Sequence, residues 1–129
     1  MPRFQANFHL YAEDLERTIS FYTQNFNFRL LGQMDDEQVE PWAALQIENA
    51  ILWLGKEGSS SGLILLLDKE IENFVSSLQE KGVEFFFPEK FRQEWPHDSL
   101  ILQTSWGKHA WFLDSEKNVV MLFQPVEQS

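Results

Sequence analysis

The sequence contains no cysteine, which removes disulfides, thiolate metal sites and thiol nucleophiles and leaves either redox compartment open. Basic residues are few: 10 Lys and Arg stand against 20 Asp and Glu, a net charge of −10. Nucleic acid is a poor partner for such a chain, because phosphate binding needs Lys and Arg to displace counterions. A neutral or cationic ligand suits it better, unless the acidity serves solubility alone. Long hydrophobic runs are missing as well. The longest, Leu63 to Leu67, is far too short for a bilayer, and no basic start followed by an apolar stretch is present. The expectation is a soluble cytoplasmic protein with no membrane partner. A Gly-x-Ser-x-Gly elbow and a dinucleotide fingerprint are also absent, and Gly55 to Gly62 lacks the Lys-Ser/Thr ending of a phosphate loop.

What the chain does have is aromatic residues and a repeat. Aromatics make up 15% of the 129 residues, with Trp42, Trp53, Trp95, Trp106 and Trp111 more indoles than packing alone requires. Some of them are expected to line a cavity. At this length the chain is one domain with a sizeable core. Asp14-Leu-Glu-Arg-Thr-Ile-Ser-Phe-Tyr22 returns 56 residues later as Glu70-Ile-Glu-Asn-Phe-Val-Ser-Ser-Leu78, each with an acidic helix start after an apolar strand. A second matched pair, Asn49 to Leu54 and Asn118 to Phe123, closes each half with a strand at an offset of 69, so the second half carries 13 extra residues. The extra residues fall between Gly82 and Trp106.

Alternation places Ala6, Phe8, Leu10 and Ala12 on one face of the first strand and Gln5, Asn7, His9 and Tyr11 on the other. Asp14 caps a helix whose stripe of Leu15, Ile19, Tyr22 and Phe26 covers the Phe8 face. Strands Phe28 to Gly32, Trp42 to Ile47 and Ala50 to Leu54 complete a βαβββ module, with an acidic turn at Asp35-Asp36-Glu37. The second module repeats the order: strand Leu63 to Leu67, a helix presenting Ile71, Phe74, Val75 and Leu78 and ended by Gly82, then Val83 to Phe87, Ser99 to Thr104, Lys108 to Asp114 and Asn118 to Gln124. The modules span about 1–56 and 61–126 of a single domain, 1–129, joined by the Gly/Ser-rich loop. The excursion over 88–105, with Phe91, Trp95 and His97, is either a solvent loop or a lid.

The duplicated βαβββ order, the helix signature Asp14 to Tyr22 and the Trp106-Gly107, Asp114 and Asn118 ending resemble the vicinal oxygen chelate superfamily, the glyoxalase, bleomycin-resistance and extradiol-dioxygenase group. The resemblance covers nearly the whole chain. It departs from the usual pattern in the turn Asp114-Ser-Glu-Lys-Asn118, where only the ends match. It implies an α+β fold in which two tandem modules with curled mixed sheets form a concave cleft, and commonly a homodimer, for which Phe91 and Trp95 are candidate interface residues. Enzymes of the group hold a divalent ion with His and Glu. The positions where the resemblance puts those ligands are Asn7, Leu63, Leu52 and Met121. Leucine offers no lone pair, Met a soft thioether and Asn a weak neutral oxygen. No metal, cofactor or catalytic residue is therefore expected.

The candidate ligand-binding residues are Asn7, His9, Tyr11, Trp42, His109, Trp111, Met121 and Phe123, where aromatic faces supply area and polar groups fix orientation. The expected function is non-metal binding of a small aromatic or cationic compound, as in the bleomycin-resistance branch, with Asp35, Asp36 and Glu37 attracting a cation. Two alternatives remain open. One is a metal-dependent lyase, isomerase or dioxygenase with ligands moved to His9, His109 and Glu40 or Glu48. The other is a domain kept for protein contacts alone.

Overall fold

The computed structural model describes residues 2–3, 7–35, 40–60, 62–89, 91 and 99–126. The chain parts into two compact units, residues 1–61 with 115–118, and residues 62–114 with 119–129. Each holds one mixed sheet and one helix, an α+β arrangement in which neither sheet closes into a barrel. Among the described residues no helix is long and apolar enough to cross a membrane.

The first unit runs β1 (Asn7–Tyr11), α1 (Leu15–Phe26), β2 (Arg29–Met34), β3 (Trp42–Ile47) and β4 (Ala50–Gly55). Its strands lie in the order β1-β4-β3-β2, with β1 parallel to β4 and the remaining pairs antiparallel. The α1 crossover makes the parallel pair possible, since two parallel strands cannot be joined by a tight turn. Asp14 caps α1 by accepting the Arg17 N–H at 3.0 Å, and Asn27, left-handed at φ 59°, ends it. The helix buries Thr18 and Tyr22 completely. Thr18 tolerates this because its hydroxyl donates to the Asp14 carbonyl at 2.7 Å. Tyr22 stacks on Phe28 at 5.9 Å, while Leu15, Ile19 and Phe26 of the expected stripe are only half-buried. Leu10, Ala12, Ala43, Leu45, Leu52 and Leu54 form the side of the sheet facing this core.

The second unit runs β5 (Leu63–Leu66), α2 (Ile71–Glu80), β6 (Glu84–Phe86), β7 (Leu102–Gln103), β8 (Gly107–Leu113) and β9 (Val119–Pro125) in the order β5-β9-β8-β6. Gly82 follows α2 at φ 91°, the conformation expected of a helix-ending glycine. One edge of β8 carries β9, so β6 and β7 share the other, end to end. Phe86 pairs with Trp111 and Leu102 with His109, so on β8 only Ala110 lies between the two pairings. Beside β8, β6 and β7 thus take the place that β2 alone holds beside β3 in the first unit. The expected strand Ser99 to Thr104 shrinks accordingly to two residues. Trp95, His97 and the rest of 92–98 lie outside the described residues, as do Asp36 and Glu37.

One expectation fails in a specific way. The matched offsets equate Asn7 with Leu63 and Leu52 with Met121, all on one kind of face. Instead Leu52 and Leu63 are buried on the helix side, whereas Asn7 and Met121 lie on the opposite face. For Leu52 and Met121 the cause is loop parity. Two residues separate the pair Ile47 and Ala50 at the β3–β4 turn, but five separate Leu113 and Val119 between β8 and β9. An odd difference turns every later side chain to the other side of a strand.

Candidate functional site

The face of the first sheet turned away from α1 is built from cross-strand rows. His9 pairs with Trp53, which pairs with Ala44, and Tyr11 pairs with Gly55, which pairs with Trp42. Two large indoles therefore alternate with two of the smallest residues, and the small ones leave room. A Cβ on Gly55 would lie 3.5 Å from the Pro41 carbonyl, 3.7 Å from His9 Nε2 and 3.9 Å from Trp42 Cβ. The space is an open cavity of about 480 Å³ lined by Asn7, His9, Trp42, Trp53 and Gly55, with Glu40, Lys56 and Glu57 among its charged walls. That volume is within the usual range for small-molecule sites.

Within the cavity the Trp42 and Trp53 rings are 5.5 Å apart and inclined at 56°. The Trp53 Nε1–H donates to Asn7 Oδ1 at 3.2 Å, which fixes the indole's rotation. Lys56 Nζ lies 3.9 Å from Glu40 Oε1. The arrangement can stack a planar ring and offer it two carboxylates against one ammonium.

The structure thus brings Asn7, His9 and Trp42 of the expected residues together. Tyr11 is absent from the lining, because its hydroxyl donates to the Glu13 carboxylate, which raises the phenol's pKa above its usual 10.0. A phenol in that state is a poor acid at neutral pH.

In the second unit His109, Trp111, Met121 and Phe123 share the face away from α2. Trp111 is 7% exposed, in a cluster with Phe87 and Leu102 against which Phe86, Phe91, Val119 and Met121 pack. Phe91 stacks on it at 5.3 Å, half-buried instead of presenting an exposed interface residue. His109 sits 4.7 Å from Phe123 ring to ring, Nε2 3.0 Å from Thr104 Oγ1, and burial pushes its pKa below 6.5.

The positions that the resemblance reserves for a divalent ion do not fit one. Leu52 and Leu63 are buried among apolar side chains, Met121 is packed against the Trp111 cluster, and the Asn7 oxygen already accepts from Trp53. Among the described residues no three or more His, Asp or Glu side chains come together as a metal-holding group. Glu40 does share the cavity with His9, but His109 belongs to the other unit and Glu48 to the β3–β4 turn.

Sequence reasoning missed Glu57 and Lys56 as cavity residues, named Glu40 only as a ligand of a shifted metal site, and gave Trp53 no face. Both faces of β4 are apolar, Ile51 and Trp53 on one and Leu52 and Leu54 on the other, so alternation carries no signal there. The useful signal was the pair of small residues, Ala44 and Gly55, flanked by tryptophans.

The model of the Glyoxalase/Bleomycin resistance protein/Dioxygenase superfamily matches residues 5–120. The chain belongs to this superfamily. No curated protein matches it in sequence. Among solved structures, this superfamily member is similar to TnmS3, an antibiotic binding protein from Streptomyces sp. CB03234. The identity is 24% over 97% of this chain and 98% of the other, at a TM-score of 0.73. It is also similar to a glyoxalase/bleomycin resistance protein from the same Streptomyces, at 27% identity, 94% and 100% coverage and a TM-score of 0.69. A third is the genomically encoded fosfomycin resistance protein FosX from Listeria monocytogenes, solved with Mn(II) and sulfate, at 16% identity, 98% and 95% coverage and a TM-score of 0.69. An antibiotic binding protein and a resistance protein solved with Mn(II) thus share the fold of this chain.

Proposed function

We propose that the protein binds a small planar aromatic cation reversibly in the cavity of the first unit, without chemical change to the ligand. The observation that carries this reading is the inclined Trp42–Trp53 pair with Asn7 fixing Trp53 and two carboxylates in the walls. A ring slides against the indoles, and a positive charge on it gains from their π faces and from Glu40 and Glu57. The antibiotic-binding and bleomycin-resistance proteins of similar fold support the same reading. His109, Trp111, Met121 and Phe123 form a second apolar surface, of which Trp111 contributes mainly packing. The test is calorimetric titration with 9-aminoacridine, a planar cation at neutral pH. Saturable binding at one site per chain is expected, with Trp53→Ala weakening it by about tenfold or more. A wild-type protein that shows no saturable binding to this or related planar cations would sink the reading.

The protein is also read as a homodimer. Phe8, Leu30, Leu31 and Met34 in one unit and Ile64 and Leu66 in the other leave much apolar surface on strands, Leu66 being 67% exposed. Sedimentation velocity giving a monomer at micromolar concentration would remove that element and leave the binding proposal standing.

A further inference from the structure

Inside the cavity wall the charges are unequal and one is already engaged. Glu40 and Glu57 contribute two carboxylates and Lys56 one ammonium, and the ammonium lies 3.9 Å from Glu40 Oε1. Both side chains of that pair are about half exposed, 52% for Lys56 and 56% for Glu40. An ion pair so open to water and so loosely closed is weak and exchanges readily. Yet both residues line the same cavity as the two tryptophans, which puts the carboxylate and the indoles in one binding space.

Resting on the binding reading above, we propose that Lys56 is the cavity's own competing cation, and that an incoming cationic ligand takes its place on Glu40. The ligand class narrows accordingly, to a planar ring whose positive charge is carried at its edge, where it reaches a carboxylate while the ring remains on Trp42 and Trp53. Lys56 then acts as a selectivity device. It imposes a small cost on every cation, because the ammonium must be displaced, and none on a neutral ring that binds by stacking alone. An anion meets the opposite situation, with one ammonium to attract it and two carboxylates to repel it.

Lys56→Gln removes the competing charge while keeping a polar chain of similar length, and Glu40→Gln removes its acceptor. Both positions are exposed, so neither substitution threatens the fold. The probes are 9-aminoacridine, cationic at neutral pH, and acridine, of nearly the same shape but neutral there. Calorimetry at low salt on the full chain is expected to show Lys56→Gln binding the cationic probe roughly two- to fivefold more tightly, the range of an exposed pair. Glu40→Gln should bind it more weakly, with acridine unchanged in both variants. Weaker binding of 9-aminoacridine by Lys56→Gln overturns the inference, as does equal tightening for both probes, which would make the lysine a steric cover. Wild-type binding with no change in either variant also overturns it while sparing the binding reading. Failure of wild-type protein to bind either probe removes both.

Discussion

Arg17 and Glu116, 99 residues apart in sequence, face each other in a two-pronged ion pair, Nε to Oε2 at 2.7 Å and Nη2 to Oε1 at 3.0 Å. The same carboxylate accepts the Asp14 N–H at 2.7 Å, so it ties the helix cap and the first turn of α1 together. The Glu116 side chain is wholly buried although Arg17 is 55% exposed. Burial alone would raise this carboxyl's pKa, but the hydrogen bonds from Arg17 and Asp14 outweigh it and hold the group at about 2, against an ordinary 4.5. Neither partner was expected from the sequence, where the turn Asp114 to Asn118 looked degenerate. The substitution in that turn builds a contact of its own.

A carboxyl whose pKa is depressed on folding contributes stability that is full above about 4.5 and disappears as pH falls towards about 2. Glu116→Gln keeps the shape and loses the charge. After discounting for the exposed guanidinium, the expected loss is roughly 2 kcal/mol at pH 7. The difference from wild type should narrow steadily below pH 5 and vanish near pH 2. Urea unfolding of both proteins at several pH values checks this, and a difference independent of pH would assign the effect to packing.

His109 predicts the opposite end of the acid range. Its imidazole is partly buried against Trp111 and Phe123, and desolvation lowers its pKa from 6.5. The neutral ring is therefore the folded form. In the unfolded chain the proton binds more readily, so stability present above pH 6.5 is lost as pH falls from there through the folded-state value. His109→Gln should flatten that slope and leave stability above pH 7 little changed in its pH dependence. Carbon-detected histidine titration by NMR gives the direct check: the His109 resonance should titrate at lower pH than a free imidazole, and a midpoint above 6.5 would contradict the assignment.

The repeat was legible because helices announce themselves locally. Asp14 before Leu15, and the spacing of Ile71, Val75 and Leu78, fix both helices without reference to the rest of the chain. The superfamily followed from the same residues. Faces were legible on β1, where polar and apolar residues alternate and Asn7 and His9 do reach the cavity. They were not legible where both faces are apolar, as on β4 and β9, because alternation then gives no phase, and a repeat offset cannot supply it across loops of different parity. The charged walls were hidden for another reason. Glu40 and Lys56 flank the ends of β3 and β4, and only the pairing of Trp42 with Gly55 brings those ends together.

Gly58 shows how closely the cavity depends on a backbone contact. The segment after β4 folds back on β1, with Ser59 N–H donating to the His9 carbonyl at 3.1 Å and Tyr11 N–H donating to the Ser59 carbonyl at 2.9 Å. These bonds pin the strand that presents His9 to the cavity. A Cβ on Gly58 would collide with the Leu10 carbonyl group and come within 2.5 Å of Tyr11 N, all main-chain atoms that no side-chain rotation can move. Gly58→Ala must therefore push the segment away from β1 and break both bonds. A destabilisation of about 2–3 kcal/mol is expected, at the upper end of overpacking costs because the obstacle is backbone. Binding should suffer separately, since His9, Lys56 and Glu57 would be displaced together. Gly32→Ala is the control, because a Cβ there meets nothing within 4 Å. Thermal unfolding and 9-aminoacridine titration of both variants decide the matter. Equal stability of the two would mean the approach of residue 58 to β1 is not maintained in solution, whereas loss confined to Gly58→Ala ties the cavity's shape to that single absent side chain.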